Sequence, residues 1–301
     1  MSKQWFSSVG LLLGAALMLS GCASDVRTST VAQLSSSQDL GALAAEFQPG
    51  NIISDQEFFD TRSLSEAGIQ SFLNEVPCTP QDDSPCLAEY ETVLPHFAPA
   101  NGIGHCNAVQ GEIQASAAVI IERISTACGI SPKVMLVLMQ KEQSLLTKPS
   151  AYGYQRATGY GCPDTTGCDS AYYGFVNQLY NAAWQFRQYS LNPNRSYHIG
   201  TVQLSYSPDE SCGSSSVTIR NQATANLYNY TPYQPNRSAI GDPAGDGDAC
   251  SSWGNLNFWL LWNTWFGDPL SEPIPVFFPN CVTHEYGARC KPFDPTQPFS
   301  S

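Results

Sequence analysis

Apolar residues recur at helical spacing in several stretches of this chain, and the clearest runs from Ile130 to Leu146. Ser131 and Pro132 open it as a helix, a capping hydroxyl followed by the residue best tolerated at the first helical position. At 100° per residue, Val134, Met135, Leu138, Leu145 and Leu146 share one face, and Glu142 falls among them. A carboxylate set into an apolar stripe is costly to bury as an anion. The pattern therefore predicts a raised pKa, the state a general acid needs near neutral pH. It also predicts that Glu142→Gln leaves the melting temperature unchanged or higher. The other reading of the same pattern is a solvated helix end carrying an ordinary surface charge.

The neighbouring patterns are helical too. Ala115 to Cys128 carries Val119, Ile120, Ile121 and Ile124, and only Gly129-Ile130-Ser131 separates it from the next helix, which predicts a helical hairpin. Ser63-Leu-Ser-Glu66 reads as a capping box opening a short helix through Ile69, Phe72 and Leu73. Ala171 to Tyr189 gives an aromatic-rich helix and Gln222 to Asn229 a shorter one, while Leu256 to Phe266 is apolar and fits either helix or strand. Trp253, Trp259, Trp262 and Trp265 are expected in the core. The fold class is mainly α, with one domain over residues 47–267. Residues 22–46, rich in Ser, Thr, Ala and Gln, read as a tether, and residues 268–301, with seven prolines from Pro269 to Pro298, as a Pro-rich tail.

The first 21 residues change this picture from a free domain to an exported one. Lys3, the apolar run from Val9 to Leu19 and the tetrapeptide Leu19-Ser20-Gly21-Cys22 form a signal peptide ending in a bacterial lipobox, with Cys22 as the lipidated residue. The expected location is the outer face of the cell membrane, facing the wall. Setting Cys22 aside from the eleven cysteines leaves an even number in an exported chain, which favours disulfides. Proximity suggests Cys78 with Cys86, Cys106 with Cys128, Cys162 with Cys168, Cys212 with Cys250, and Cys281 with Cys290. No cysteine is then left as a nucleophile, and the four histidines lack zinc-hydrolase spacing. No cofactor or metal is called for. Charged residues are only 13% of the chain and the net charge is −12, which disfavours nucleic acid. The remaining polarity, from Ser, Thr, Asn, Gln and Tyr, suits a polysaccharide.

A helix, a short Gly-Ile-Ser-Pro link and an apolar helix ending in Glu resemble the lysozyme-like peptidoglycan glycosidases, the soluble lytic transglycosylases and related glucosaminidases above all. In that family the helix ends in Glu-Ser, the Glu being the general acid; this chain reads Glu142-Gln143-Ser144. The Gly159-Tyr160-Gly161 turn stands where the family has a turn lining the sugar groove. Asn177 to Phe186 answers loosely to its Asn-x-x-x-Gly-x-x-Tyr helix, and Tyr228-Asn229 to a later Tyr-Asn pair. The resemblance covers residues 115 to 235. The blocks Gly-Tyr-Gly-Cys-Pro-Asp and Tyr-Thr-Pro-Tyr-Gln-Pro-Asn also resemble a group of exported actinobacterial surface proteins. What the family likeness implies is cleavage of the peptidoglycan glycan strand, with Glu142 as proton donor and Tyr160, Gln143, Ser144, Asn177, Tyr228, Asn229 and Tyr233 at the substrate.

Glycosidic cleavage usually needs a second group to manage the cation-like sugar, and Asp164 is the candidate base, its other reading being a turn residue after Pro163. Without a second carboxylate, the muramyl C6 hydroxyl attacks C1 and gives a 1,6-anhydro product. Asp242, Asp246 and Asp248 lie in a Gly-rich loop that reads as a solvated acidic turn, with Ca²⁺ binding as its alternative. The competing function is a non-catalytic, wall-binding or adhesive lipoprotein.

Overall fold

The computed structural model describes residues 37–99, 106–163 and 167–271. The signal peptide, Cys22, Asp164, the Cys281–Cys290 pair and the tail beyond residue 271 lie outside the described residues. The protein is mainly α. Its helices are α1 (Ser37–Ala45), α2 (Asp55–Phe59), α3 (Glu66–Glu75), α4 (Ala117–Cys128), α5 (Pro132–Gln143), α6 (Ala151–Gln155), α7 (Phe175–Leu191), α8 (Gln222–Tyr230), α9 (Arg237–Gly241) and α10 (Gly254–Phe266). Two antiparallel hairpins flank them: β1 (Glu91–Leu94) with β2 (Glu112–Ser116), and β3 (Gly200–Ser205) with β4 (Ser214–Ile219).

The core is centred on α5. From Val134 to Met139 every side chain is at most 1% exposed, so this helix is buried all round rather than along one stripe. It packs against α4 and α10, while α4 also meets α3 and α7, and α7 meets α8. Gly129, left-handed at φ 72°, closes α4 and lets the chain turn into α5, as the hairpin pattern requires. Ser131 stands at the N-cap of α5 but makes no capping bond; its hydroxyl shares a 2.8 Å hydrogen bond with that of Ser63. Ser63 is thereby drawn away from α3, and Ser65 caps that helix instead, accepting from the Gly68 amide at 3.2 Å. The expected capping box is not made, although Ile69, Phe72 and Leu73 are buried as expected.

Three other expectations shift. The α4 pattern begins two residues late because Glu112–Ser116 pairs with β1, and Ser116 then caps the helix through the Val119 amide. Gly174, at φ 103°, interrupts the stretch from Ala171, so α7 starts at Phe175. The last apolar element is a helix, with Trp259 and Trp262 buried and Trp253 and Trp265 partly buried against the core. Packed structure also begins before Phe47: Ala44 on α1 is fully buried and the Leu43 carbonyl accepts from Trp259 Nε1 at 3.3 Å. At the other end, the Pro269 carbonyl accepts from the Ser54 amide at 3.0 Å, returning the chain to α2.

Among the described residues, four disulfides join Cys78–Cys86, Cys106–Cys128, Cys162–Cys168 and Cys212–Cys250, four of the five pairs that proximity suggests. Among the described residues, no helix is long and apolar enough to cross a membrane.

Candidate active site

Ser144 ends α5. It takes a left-handed backbone at φ 51°, alone among the described non-glycine residues, and its amide donates to the Gln140 carbonyl at 2.9 Å. The turn swings Leu145 and Leu146 off the helix and into the core, so they do not surround Glu142 as the stripe implies. Glu142 occupies a polar seat instead. Its Oε1 accepts from Lys141 Nζ at 2.7 Å, and the same ammonium donates to Thr231 Oγ1 at 2.7 Å. The Lys141 side chain is 5% exposed and that of Glu142 26%, so a nearly buried cation holds a carboxylate that reaches solvent.

The other carboxylate oxygen lies against the Gly159-Tyr160-Gly161 turn. Gly159 has φ 71°, and a Cβ at this position would sit 2.8 Å from Glu142 Oε2, so glycine is required both by backbone and by close approach. What fixes this turn is Gln178, a fully buried amide on α7. Its Oε1 accepts from the amides of Thr158 at 3.2 Å and Tyr160 at 3.1 Å, and its Nε2 donates to the carbonyls of Tyr160 at 2.9 Å and Tyr172 at 2.8 Å. Tyr230 completes the seat by donating its hydroxyl to the Thr158 carbonyl at 2.9 Å. Burial raises the Tyr230 phenol well above its ordinary range, and the charge of the Glu142 carboxylate adds to that. The Tyr160 phenol is raised by burial and by Tyr172, whose ring meets it edge-on at 4.9 Å.

The residues expected at a substrate divide. Tyr160 follows Gly159 on the turn that meets Glu142, and Gln143 and Ser144 follow Glu142 at the helix end, where Ser144 acts through its backbone. Tyr228 does not line a groove: it is fully buried, 6.0 Å from the Tyr197 ring, and burial pushes its phenol upward. Asn229 is spent on backbone, donating to the carbonyls of Tyr197 at 2.6 Å and Ala225 at 2.8 Å. Tyr233 pairs in a bridge with Ser205 and accepts from Asn255 through its carbonyl. Asn177 points away from Gln178, donating to the carbonyls of Ala171 and Tyr173, and borders a separate cleft of about 520 Å³ that also includes Tyr90, Phe97, Tyr154 and Tyr173. Neither Glu142 nor Tyr160 nor Tyr230 lines that cleft. Of the acidic loop, Asp248 is a turn staple, its Oδ1 accepting from Asn236 Nδ2, the Cys250 amide and Ser251 Oγ. Among the described residues no three metal-binding side chains converge.

Lys141 and Gln178 are not expected here, yet each breaks a pattern. Lys141 falls three residues after Leu138 and seven after Val134, on a buried face, and Gln178 sits on the same face of α7 as Phe175 and Ala182. A polar residue at such a position needs partners, and here those partners are the site. Tyr228 offers the converse case, since its buried hydroxyl has no hydrogen-bond partner among the described residues. Tyr228→Phe is expected to leave function intact and to hold or raise the melting temperature, because an unpaired buried hydroxyl costs about 1–3 kcal/mol. A fall of several degrees in a thermal melt counts against this. No family model, no curated protein and no solved structure matches the chain.

Proposed function

We propose that this protein cleaves the glycan strand of peptidoglycan, using a lysozyme-like helical domain held at the outer membrane face by a lipid on Cys22. The observation that carries the reading is the seat of Glu142: a partly exposed carboxylate at the end of a buried helix, set against the Gly159-Tyr160-Gly161 turn that Tyr230 anchors through the Thr158 carbonyl. In the mechanism, Lys141 holds Oε1 and Oε2 delivers the proton to the bridging oxygen. The C1–O bond breaks with positive charge building on the sugar ring, and the leaving hydroxyl departs with that proton. Attack on C1 by the substrate's own C6 hydroxyl returns a proton to Glu142 and leaves a 1,6-anhydro end. Attack by water leaves a reducing end. Tyrosine rings suit the pyranose faces and their hydroxyls suit its oxygens.

A second reading, binding without cleavage, is favoured by the separate uncharged cleft beside Asn177 and by the ion pair that occupies Glu142 Oε1. Incubating the mature protein with purified wall and analysing the soluble fraction by mass spectrometry decides between them. Muropeptides are expected, and their anhydro or reducing ends identify the attacking group. Protein that sediments with the wall and releases none supports the second reading.

A further inference from the structure

A ladder of polar side chains leads away from Glu142 along α7. Tyr160, on the turn that contacts Glu142, directs its hydroxyl to Gln185 Oε1 at 3.5 Å. Gln185 Nε2 donates to Gln188 Oε1 at 2.8 Å, close to one helical turn farther on, and the same oxygen accepts from Arg195 Nη2 at 3.2 Å. The Arg195 guanidinium lies over the Tyr189 ring, 4.8 Å from its centroid. Tyr189 belongs to the same group: burial pushes its phenol up to about 12 against the pull of Arg195, and Tyr160 adds to the rise. The ladder thus starts at the turn beside an anion and ends at a cation.

Arg195 is held but not neutralised. A ring face and an amide oxygen fix its plane, its Nε has no hydrogen-bond partner, and no carboxylate among the described residues pairs with it. On a chain of net charge −12, a guanidinium fixed by neutral groups is a ready partner for an anion. Arg156, on the Tyr152 and Tyr173 rings, is held in the same way but is not part of this ladder. Its planar fork is the group best matched to a carboxylate, which it meets through two parallel N–H···O bonds. We propose that Arg195 is a specificity-determining residue that docks a carboxylate of the substrate, so that the site takes acid-bearing glycan in preference to neutral glycan. This rests on the reading of Glu142 as the cleavage site. In peptidoglycan the carboxylate has two sources, the stem peptide and the lactyl ether of the muramyl sugar.

Binding to three soluble probes separates the sources, measured in the Glu142→Gln background so that no probe is consumed. Glycan strands with stem peptides carry peptide carboxylates, amidase-stripped strands carry the lactyl carboxylate, and N-acetylglucosamine oligomers carry none. Arg195→Gln is expected to weaken binding to one or both acid-bearing probes by about 10- to 100-fold and to leave the neutral oligomer unchanged, and the probe affected names the source. Arg195→Lys keeps the charge without the fork and should fall between, which also serves if Arg195→Gln does not fold. Equal loss on all three probes, or loss on none, overturns the proposal. The two readings fail separately. Selective, Arg195-dependent binding without muropeptide release from wild type sinks the cleavage reading alone, whereas active cleavage without selective loss sinks this one alone.

Discussion

Glu142→Gln is expected to remove wall-degrading activity by at least about 100-fold, the contribution typical of a positioned general acid, while the protein still folds. Its effect on stability should be a loss. The stripe reading of α5 expects an unchanged or higher melting temperature, because it places a lone carboxylate among apolar side chains. The seat is different: Lys141 is 5% exposed and its ammonium is 2.7 Å from the carboxylate. Neutralising Glu142 leaves that cation with Thr231 and an uncharged amide. Breaking a fully buried ion pair costs about 3–5 kcal/mol. Because Glu142 is 26% exposed, solvent recovers much of this, and about 1–2 kcal/mol is expected. The double variant Lys141→Met, Glu142→Gln removes both charges and should recover the melting temperature without recovering activity. Muropeptide release and a thermal melt on the three proteins check this. Substantial activity in Glu142→Gln overturns the mechanism, and activity lost only in proportion to unfolding overturns the role.

How much of this was legible in the sequence depends on whether the signal was local. Helical periodicity locates α3, α4, α5, α7 and α8 because each buries apolar residues at helical spacing, while α10, apolar nearly all along, fits helix or strand. Pairing by proximity located four disulfides because each closes a loop of at most 38 residues. The β3–β4 hairpin was missed although Val202 and Leu204 alternate, as do Val217 and Ile219, because two buried positions per strand give a weak period-2 signal. The site itself was half visible. Glu142 and the Gly159-Tyr160-Gly161 turn are a helix end and a glycine pair, features that sequence marks directly. The likeness of Tyr228-Asn229 to a Tyr-Asn pair points to Tyr228, two residues from Tyr230 on the same helix. Only packing reveals that Tyr230 reaches the Thr158 carbonyl while Tyr228 faces Tyr197. The Lys141–Thr231 bond joins residues 90 apart, and no periodicity reports a contact of that range.

Gln178 carries the second large prediction. Gln178→Leu preserves side-chain size and helix propensity, so the change tests the amide alone. It strands four backbone groups: the amides of Thr158 and Tyr160 and the carbonyls of Tyr160 and Tyr172. Thr158 is fully buried and cannot turn to solvent, whereas Tyr160 and Tyr172 are partly exposed and recover some hydration. A stranded buried group costs about 1–3 kcal/mol, so the sum is expected at about 3–5 kcal/mol, or a fall of roughly 10 °C in melting temperature for a domain of this size. The consequence for function follows from the other side of the turn. Gly159 touches Glu142 Oε2 and the Thr158 carbonyl anchors Tyr230, so releasing the turn frees both neighbours of the carboxylate at once. Wall cleavage should therefore fall by about 10-fold or more even at temperatures where the variant is folded, since small misplacements of a catalytic group cost that much. Asn177→Ala, one residue away on the same helix, removes bonds to the Ala171 and Tyr173 carbonyls and to Asn181 Nδ2, none of them on the turn, and should leave cleavage near wild type. If the two variants lose activity equally, the turn is not what positions Glu142. If Gln178→Leu melts normally, the buried amide is not what holds the turn.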